Sequence, residues 1–436
     1  MSLMAQMDAR QLLAGLLDGA AVQAVDVGAG DLHVVQASWL GQPTVWVCFD
    51  YGASQGSIGV QEAQQLVASL RHAQQRHARV VFVMESGGIR VTDSTAGIAS
   101  FRHVIRAAAQ ARLAGLRMLA VVGRCAFGGA SILACICERC VVFPHSILAM
   151  SGPRLLTHEM GEGIWNARDA SLVAQWLGGA ARARASGRFD LVHDVPACRA
   201  ALVTCAGSAP LPPAPELDGM ACPELPPAQE LAASPGQPGP GLMACGQALL
   251  QPLDAQAAGW ERLSAQVYRL RAAVAPDVHV LALEAPEGAR VRDVAVLMQQ
   301  LQALRPRLAS GAVQAKLLIV LDAQSHAARL EDEQAAFSVV LADLVLLLHV
   351  MRREGVQVQL RVTGRCGGGI FAALSAGVGE VVMEPSARLV VLPRAALAAL
   401  GKQESPEAGS AQMALAVGVV DRVLERDASG LEAAWA

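Results

Sequence analysis

The sequence predicts an α/β protein built from two related halves. Near-continuous apolar runs of strand length alternate with longer stretches of helical period, the pattern of sheets covered by helices. Ten of the 21 prolines fall between Pro210 and Pro240, so a Pro/Ala/Gly-rich linker at 205–245 separates residues 1–204 from 246–436. One segment also recurs. VVGRCAFGGASILACICERCVVFPHSILAMSGPR aligns with RVTGRCGGGIFAALSAGVGEVVMEPSARLVVLPR, pairing Gly123-Arg124-Cys125 with Gly364-Arg365-Cys366. Pro144 and Pro385 each lie 19 residues after the paired cysteine, which marks a duplicated unit.

The elements follow in order. VQASWLGQPTVWVCFD predicts a hairpin and IGVQEAQQLVASLRHAQQRHA an amphipathic helix. ARVVFVMES is a buried strand, TAGIASFRHVIRAAAQARLAG a helix and LRMLAVVGRC a further buried strand. AFGGASILACICERC opens a helix, and VVFPHSILAM reads as one strand. In the second half VHVLALEAP, AKLLIVLDAQ and VQVQLRVTGRC are strands. VAVLMQQLQALRPRLASG and EQAAFSVVLADLVLLLHVMRREG are helices, the latter long and unbroken. GGGIFAALSAGVG is a helix, and EVVMEPSARLVVL a single strand.

Composition narrows the function. Apolar residues make up 53% of the 436 and charged residues 17%, enough to bury a large core. A formal charge of -3 argues against a nucleic-acid partner. Residues 1–200 carry 17 cationic against 14 acidic side chains, the remainder 18 against 24. This mild asymmetry fits ordinary surface variation better than docking of an acidic partner. The opening MSLMAQMDARQLLAGLLDGA lacks a basic segment before its apolar run, and no apolar stretch reaches bilayer length, so no membrane role is expected. A reducing cytoplasm is the expected setting. Cys135, Cys137 and Cys140 cluster as CICERC, but within an apolar segment, and core packing is preferred over zinc. No metal is expected.

The glycine-rich turns carry the chemistry. In strand–GRCAFGG–helix, Gly128 and Gly129 fall where the chain enters a helix, whose first N–H groups are unpaired and lie at the positive end of its dipole. GRCGGG, with Gly367, Gly368 and Gly369, offers the same arrangement. MESGGIR supplies a second loop, whose Gly87 and Gly88 can turn N–H groups toward the same point. Two backbone donors from separate loops suit an oxyanion hole; the alternative is that these glycines only permit tight packing. GxGxxG and the Walker sequence are absent from both turns. His145, His158 and His326 are scattered, and each reads first as a surface or hydrogen-bonded residue.

MESGGIRVTDSTAGIASF resembles the donor loop and following helix of carboxyltransferase-type crotonase-superfamily proteins. GRCAFGGASILACICERCVVFPHSILAMSGPRLLTHEMGEGIWNARDASLV is similar to the central stretch of the beta subunit of biotin-independent malonate decarboxylase. There the pattern is a glycine turn, a GP loop, an acidic residue before Gly and an RD pair. The matching residues here are Gly128 and Gly129, Gly152 and Pro153, Glu159 and Gly161, and Arg168 and Asp169. More weakly, LDAQSHAARLEDEQAAFSVVLADLVLLL, GRCGGGIFAALSAGVGEVVM and GVVDRVLE resemble the gamma subunit, whose Gly-Lys pair falls at Gly401-Lys402. Arg154 stands where the beta pattern has an acidic residue, and QESPEAGS after Lys402 departs from the gamma pattern.

The resemblance implies two crotonase-like ββα-spiral domains in tandem, beta-like then gamma-like, with the active site at their interface. It implies a malonyl thioester on acyl carrier protein as substrate, with acetyl thioester and carbon dioxide as products. The acyl carrier is then a phosphopantetheine-type arm or CoA, the chain binds no cofactor of its own, and association into a homo-oligomer is expected. Gly88 and Gly129 are expected on the thioester oxygen, and Gly87 and Gly128 are counted with them as catalytic. Phe127 and Gly152 are expected to contact substrate, as is Lys402, and Gly367 to Gly369 to face the carboxylate. Ser151, His158 and Glu159 are candidate proton donors. A biotin-dependent acyl-CoA carboxyltransferase shares the enolate intermediate, and a non-catalytic scaffold that binds a carrier protein is the third reading.

Overall fold

In the first half, the hairpin and the apolar runs of the sequence assemble into one sheet. Strands β1 (Val22–Ala24), β2 (His33–Trp39) and β3 (Gln42–Cys48) pair antiparallel. The β2–β3 turn is Leu40-Gly41, both residues at positive φ, which matches the twist of a two-residue hairpin. From β3 the sheet runs parallel through β4 (Arg79–Ser86), β5 (Met118–Phe127), β6 (Arg139–Val142) and β8 (Phe189–Leu191). The computed structural model describes residues 7–207, 238, 242–245, 259–271, 277–309, 315–326, 328–392, 397 and 409–425. Most of the linker predicted at 205–245 lies outside these residues, and so does Lys402.

Among the described residues the chain packs as two units. The first holds 7–93, 100–207 and 328–343; the second holds 94–99 and the remainder. The division is thus not a single cut at the proline-rich stretch: a segment from the second half of the sequence belongs to the first unit.

In the first unit, α1 (Ala9–Leu17) and the later α8 (Val195–Gly207) bury Leu12, Leu16, Cys198 and Leu202 against Val81, Val83, Leu119 and Val121 of the sheet. Helices α2 (Val60–Gln75) and α3 (Ser94–Leu113, from Ser100 onward in this unit) connect β3 to β4 and β4 to β5. After α4 (Gly129–Ile136), VVFPHSILAM forms two strands rather than the one predicted: β6, and β7 (Ile147–Ala149). Pro144 cannot donate to a ladder, and the Phe143 N–H turns instead to Ser146 Oγ at 2.9 Å. The β7 strand then pairs with only the last residues of β5, Cys125 to Phe127. Helices α5 (Pro153–Met160), α6 (Ala170–Leu177) and α7 (Gly179–Ala185) follow.

The second unit repeats the plan. Its sheet has the order β17-β15-β13-β12-β11-β10-β9. Strands β9 (Trp260–Arg262), β10 (Val267–Leu270) and β11 (Val278–Ala285) pair antiparallel. Strands β12 (Lys316–Ala323), β13 (Gln357–Val362), β15 (Glu380–Met383) and β17 (Arg422–Val423) continue parallel. EVVMEPSARLVVL also breaks at its proline, leaving β15 and β16 (Arg388–Val390), and β16 pairs with β14 (Arg365–Gly367). The predicted long helix is likewise two, Leu330–Gln334 and Phe337–Arg353, because Ala336 adopts φ +52° and ends the first.

This is a mixed α/β fold of two units, each with a mainly parallel sheet that is antiparallel at one edge. An acid also repeats ahead of each GRC: Glu85 accepts from the Arg124 N–H at 3.2 Å, and Asp322 accepts from the Arg365 N–H. Cys135, Cys137 and Cys140 are buried in the first unit's core, and no group of side chains fit to hold a metal ion occurs among the described residues. No helix there is long and apolar enough to cross a membrane.

Candidate functional site

Three chain ends meet in the first unit: β4 with its SGG loop, β5 with its FGG turn, and β7 with the Ser-Gly-Pro entry to α5. Gly128 caps α4 with φ 51° and ψ -126°, a conformation that demands glycine, and its N–H is held by the Ala149 carbonyl at 3.0 Å. Gly129 is the first residue of α4, so its N–H has no acceptor within the helix. A Cβ on Gly129 would stand 2.4 Å from the Phe101 ring, so only glycine lets α3 and α4 approach this closely.

The SGG loop lies against this turn. Gly88 is buried at φ +97°, and a Cβ there would stand 2.8 Å from the Phe127 carbonyl. Its N–H rests 3.2 Å from Ser86 Oγ, a long contact, while its carbonyl accepts from Ile58 at 2.8 Å. Gly87 is exposed, and its N–H is engaged by the Gln55 carbonyl at 2.9 Å. Of the four glycine N–H groups, those of Gly87 and Gly128 are engaged by backbone carbonyls, that of Gly88 has only a long contact, and that of Gly129 has no acceptor within its helix.

Phe127 and Gly152 adjoin: a Cβ on Gly152 would lie 3.9 Å from the Phe127 ring, and both residues are half-buried. The Phe127 ring also packs on the cluster of Ala149, Leu156, Trp165, Val173 and Leu177. His158 and Glu159 stand apart from these groups, exposed in the last turn of α5 and 3.8 Å from each other. A rise of about 1.5 Å per residue sets them roughly 9 Å along the helix from Gly152. Ser151 is fully buried beside the turn.

The residue that sequence reasoning missed is Glu333, on the short helix Leu330–Gln334. Its carboxylate accepts from the Ser151 N–H at 2.6 Å and the Met150 N–H at 3.1 Å, and the Ser151 side chain bonds it as well. Burial pushes its pKa up to about 7, against the opposing pull of Arg182 and these donors. The same segment reaches the FGG turn through Ser338, whose hydroxyl lies 2.6 Å from Ser131 Oγ; Ser131 in turn donates to the Gly128 carbonyl at 2.6 Å. In LEDEQAAFSVVL, Glu333 reads as one of three acids in a solvated first turn, and no local signal marks it as buried.

In the second unit, Gly367 is extended and caps the helix Gly368–Gly377, where Gly369 is buried in the first turn. The SGG loop has no glycine counterpart there. Ile58 bridges Ile89, and Ala289 bridges His326 in the same parallel fashion, so Ser325 occupies the place of Gly88. A Cβ on Gly368 would meet Ser325 Oγ at 2.2 Å. His326 is buried, and desolvation pulls its pKa down to about 4, so it stays neutral.

No family model matches the chain. No curated relative matches it either. Solved structures do. A Pseudomonas malonate decarboxylase hetero-tetramer in complex with malonate matches at TM-score 0.41 and 23% identity, over 46% of this chain and 82% of that one. Transcarboxylase 12S matches at TM-score 0.41 and 16% identity, over 97% and 87%. The beta subunit of P. aeruginosa geranyl-CoA carboxylase matches at 0.39 and 15%, over 96% and 84%. At such low similarity none of these likenesses bears on individual residues.

Proposed function

We propose that the first unit decarboxylates a malonyl thioester, carried on an acyl carrier protein, to the acetyl thioester, as a carbon–carbon lyase. The observation that carries this is the approach of the SGG loop to the FGG helix entry. Gly88 lies against the Phe127 carbonyl with its N–H held only by a long contact to Ser86, and Gly129 opens α4 with an N–H that has no acceptor within the helix. Loss of carbon dioxide leaves an enolate, and two preorganised N–H donors stabilise the charge as it forms on oxygen. Each such donor typically contributes about 3–4 kcal/mol.

The enolate carbon must then take a proton. Of the three candidates, Ser151 adjoins the turn, and its hydrogen bond to Glu333 supplies an acid that is half-protonated near neutral pH. In this reading Ser151 Oγ delivers its proton to carbon and recovers one from Glu333. His158 and Glu159 lie too far along α5 for that role.

The test is to incubate the purified protein with malonyl-carrier protein and follow the acyl mass. Conversion of malonyl to acetyl supports the reading. An unchanged malonyl mass, with a carrier shown to be competent, overturns it. Turnover that requires a biotinylated partner and is abolished by avidin assigns carboxyl transfer instead.

A further inference from the structure

Helices α2 and α3 leave a groove of about 520 Å3 between them, wholly within the first unit. Ala63 and Arg71 belong to the α2 wall. Ser100, His103, Ala107 and Gln110 belong to the α3 wall. Their spacing of three or four residues puts them on one face of α3. With a rise of about 1.5 Å per residue, that wall is roughly 15 Å long.

The groove is cationic. Arg71 is exposed on one wall, and Arg106 lies half-buried on the other. Among the described residues no carboxylate lines it. The sequence accounts for this: α2 beyond Glu62, and all of α3, hold neither Asp nor Glu. Glu62 itself is buried, and its carboxylate is taken by the Gly59 N–H at 2.9 Å and by Arg90 at 3.0 Å. The two helices thus set positive charge along the groove, in a chain whose net charge is -3.

One end of the groove adjoins both donor loops. Ile58, two residues before α2, bridges Ile89, the neighbour of Gly88. The Val60 N–H donates to Asp93 at 2.9 Å, which ties the start of α2 to the residue before α3. Ser100 precedes Phe101, whose ring fills the space beside Gly129. We propose that this groove docks an acidic helix of the carrier protein that brings the acyl group, its carboxylates meeting Arg71 and Arg106. The proposal rests on the enolate reading, whose substrate is carried on a protein. Two helical walls, roughly three turns long, suit a third helix laid between them. No aromatic ring lines the groove to stack a nucleobase, which disfavours a nucleotide.

The test separates docking from chemistry. Acetyl-carrier protein, which has no carboxylate to lose, is titrated calorimetrically into wild type, Arg71→Glu and Arg184→Glu. The last makes the same change in net charge at an exposed position on α7, and melting temperatures control for folding. Arg71→Glu is expected to weaken carrier binding about tenfold at about 0.15 M salt, and Arg184→Glu to leave it near wild type. Arg71→Glu is also expected to raise KM for malonyl-carrier with kcat kept. Turnover of malonyl-pantetheine, which has no protein to dock, is expected to stay unchanged. Binding unaffected by Arg71→Glu, or weakened equally by both variants, overturns the groove. An equal loss with malonyl-pantetheine does so too, because it places the effect at the reacting centre. Arg71-dependent binding of ATP by a wild type that does not bind the carrier assigns a small anion instead. Wild type that binds the carrier through Arg71 but turns over neither thioester sinks the decarboxylase reading and leaves the docking groove standing.

Discussion

Replacing Glu333 by glutamine changes how stability depends on pH. Burial lifts this carboxyl from 4.5 to about 7. An acid whose folded pKa exceeds its unfolded value contributes stability that is whole below the unfolded pKa and is lost as pH rises through the folded one. At about 1.4 kcal/mol per unit, that loss is roughly 2–3 kcal/mol between pH 5 and pH 8. The glutamine variant lacks this dependence but presents an amide NH2 where Met150 and Ser151 both need acceptors, at a fixed cost of about 1–3 kcal/mol. Wild type is therefore expected to be the more stable at pH 5, with its advantage shrinking by roughly 2–3 kcal/mol by pH 8. Urea denaturation of both proteins across that range measures the difference. A gap that stays constant, or widens as pH rises, means that the two N–H donors and Arg182 outweigh burial, and the assignment of Glu333 as a neutral-pH acid fails.

Three further outcomes follow from the geometry. Gly129→Ala puts a methyl 2.4 Å from the Phe101 ring; overpacking of about 1–3 kcal/mol and a drop in thioester turnover are expected, and Phe101→Leu in the same chain is expected to restore stability. An unshifted melting temperature in the single variant contradicts the packing. Arg124→Met strands the fully buried Glu85 and is expected to destabilise by on the order of 3 kcal/mol, while Arg124→Met with Glu85→Gln recovers much of it; strict additivity of the two substitutions argues against the pair. The thiols of Cys48, Cys125, Cys135, Cys198, Cys245 and Cys366 are pushed by burial up to about 12, and that of Cys137 is pushed well up by the same cause. They are expected to resist iodoacetamide at pH 8 until the protein is denatured, and labelling in the native state, read by peptide mass, refutes their burial.

Much of the fold was legible because it rests on local pattern. Leu40-Gly41 set the hairpin, apolar runs set β4, β5, β11 and β12, and the recurrence of GRC announced the second unit. The prolines at 144 and 385 were visible, yet each apolar run on both sides reads as a continuous strand; only the pairing separates them, β6 and β7 lying along different stretches of β5 while β15 pairs with β13 and β16 with β14. The break at Ala336 has no glycine or proline to signal it. In the candidate site, Gly88 and Gly128, which demand positive φ, and Gly129, which demands close packing on Phe101, were readable from spacing. That Gly87 gives its N–H to Gln55 was not, because the acceptor lies 32 residues upstream. Glu333 and Ser338 were invisible for the same reason on a larger scale: they come from the second half of the sequence and pack into the first unit.

The most direct test of the central claim is the fate of the acyl group in heavy water. Malonyl-carrier protein incubated with the enzyme in D2O is expected to yield acetyl-carrier bearing one deuterium on the former C2, because the enolate takes its proton from an exchangeable acid. Gly88→Ala, strained at φ +97° and 2.8 Å from the Phe127 carbonyl, is expected to abolish the conversion. Malonyl-carrier recovered intact, or turnover unchanged in Gly88→Ala, contradicts an enolate held between Gly88 and Gly129.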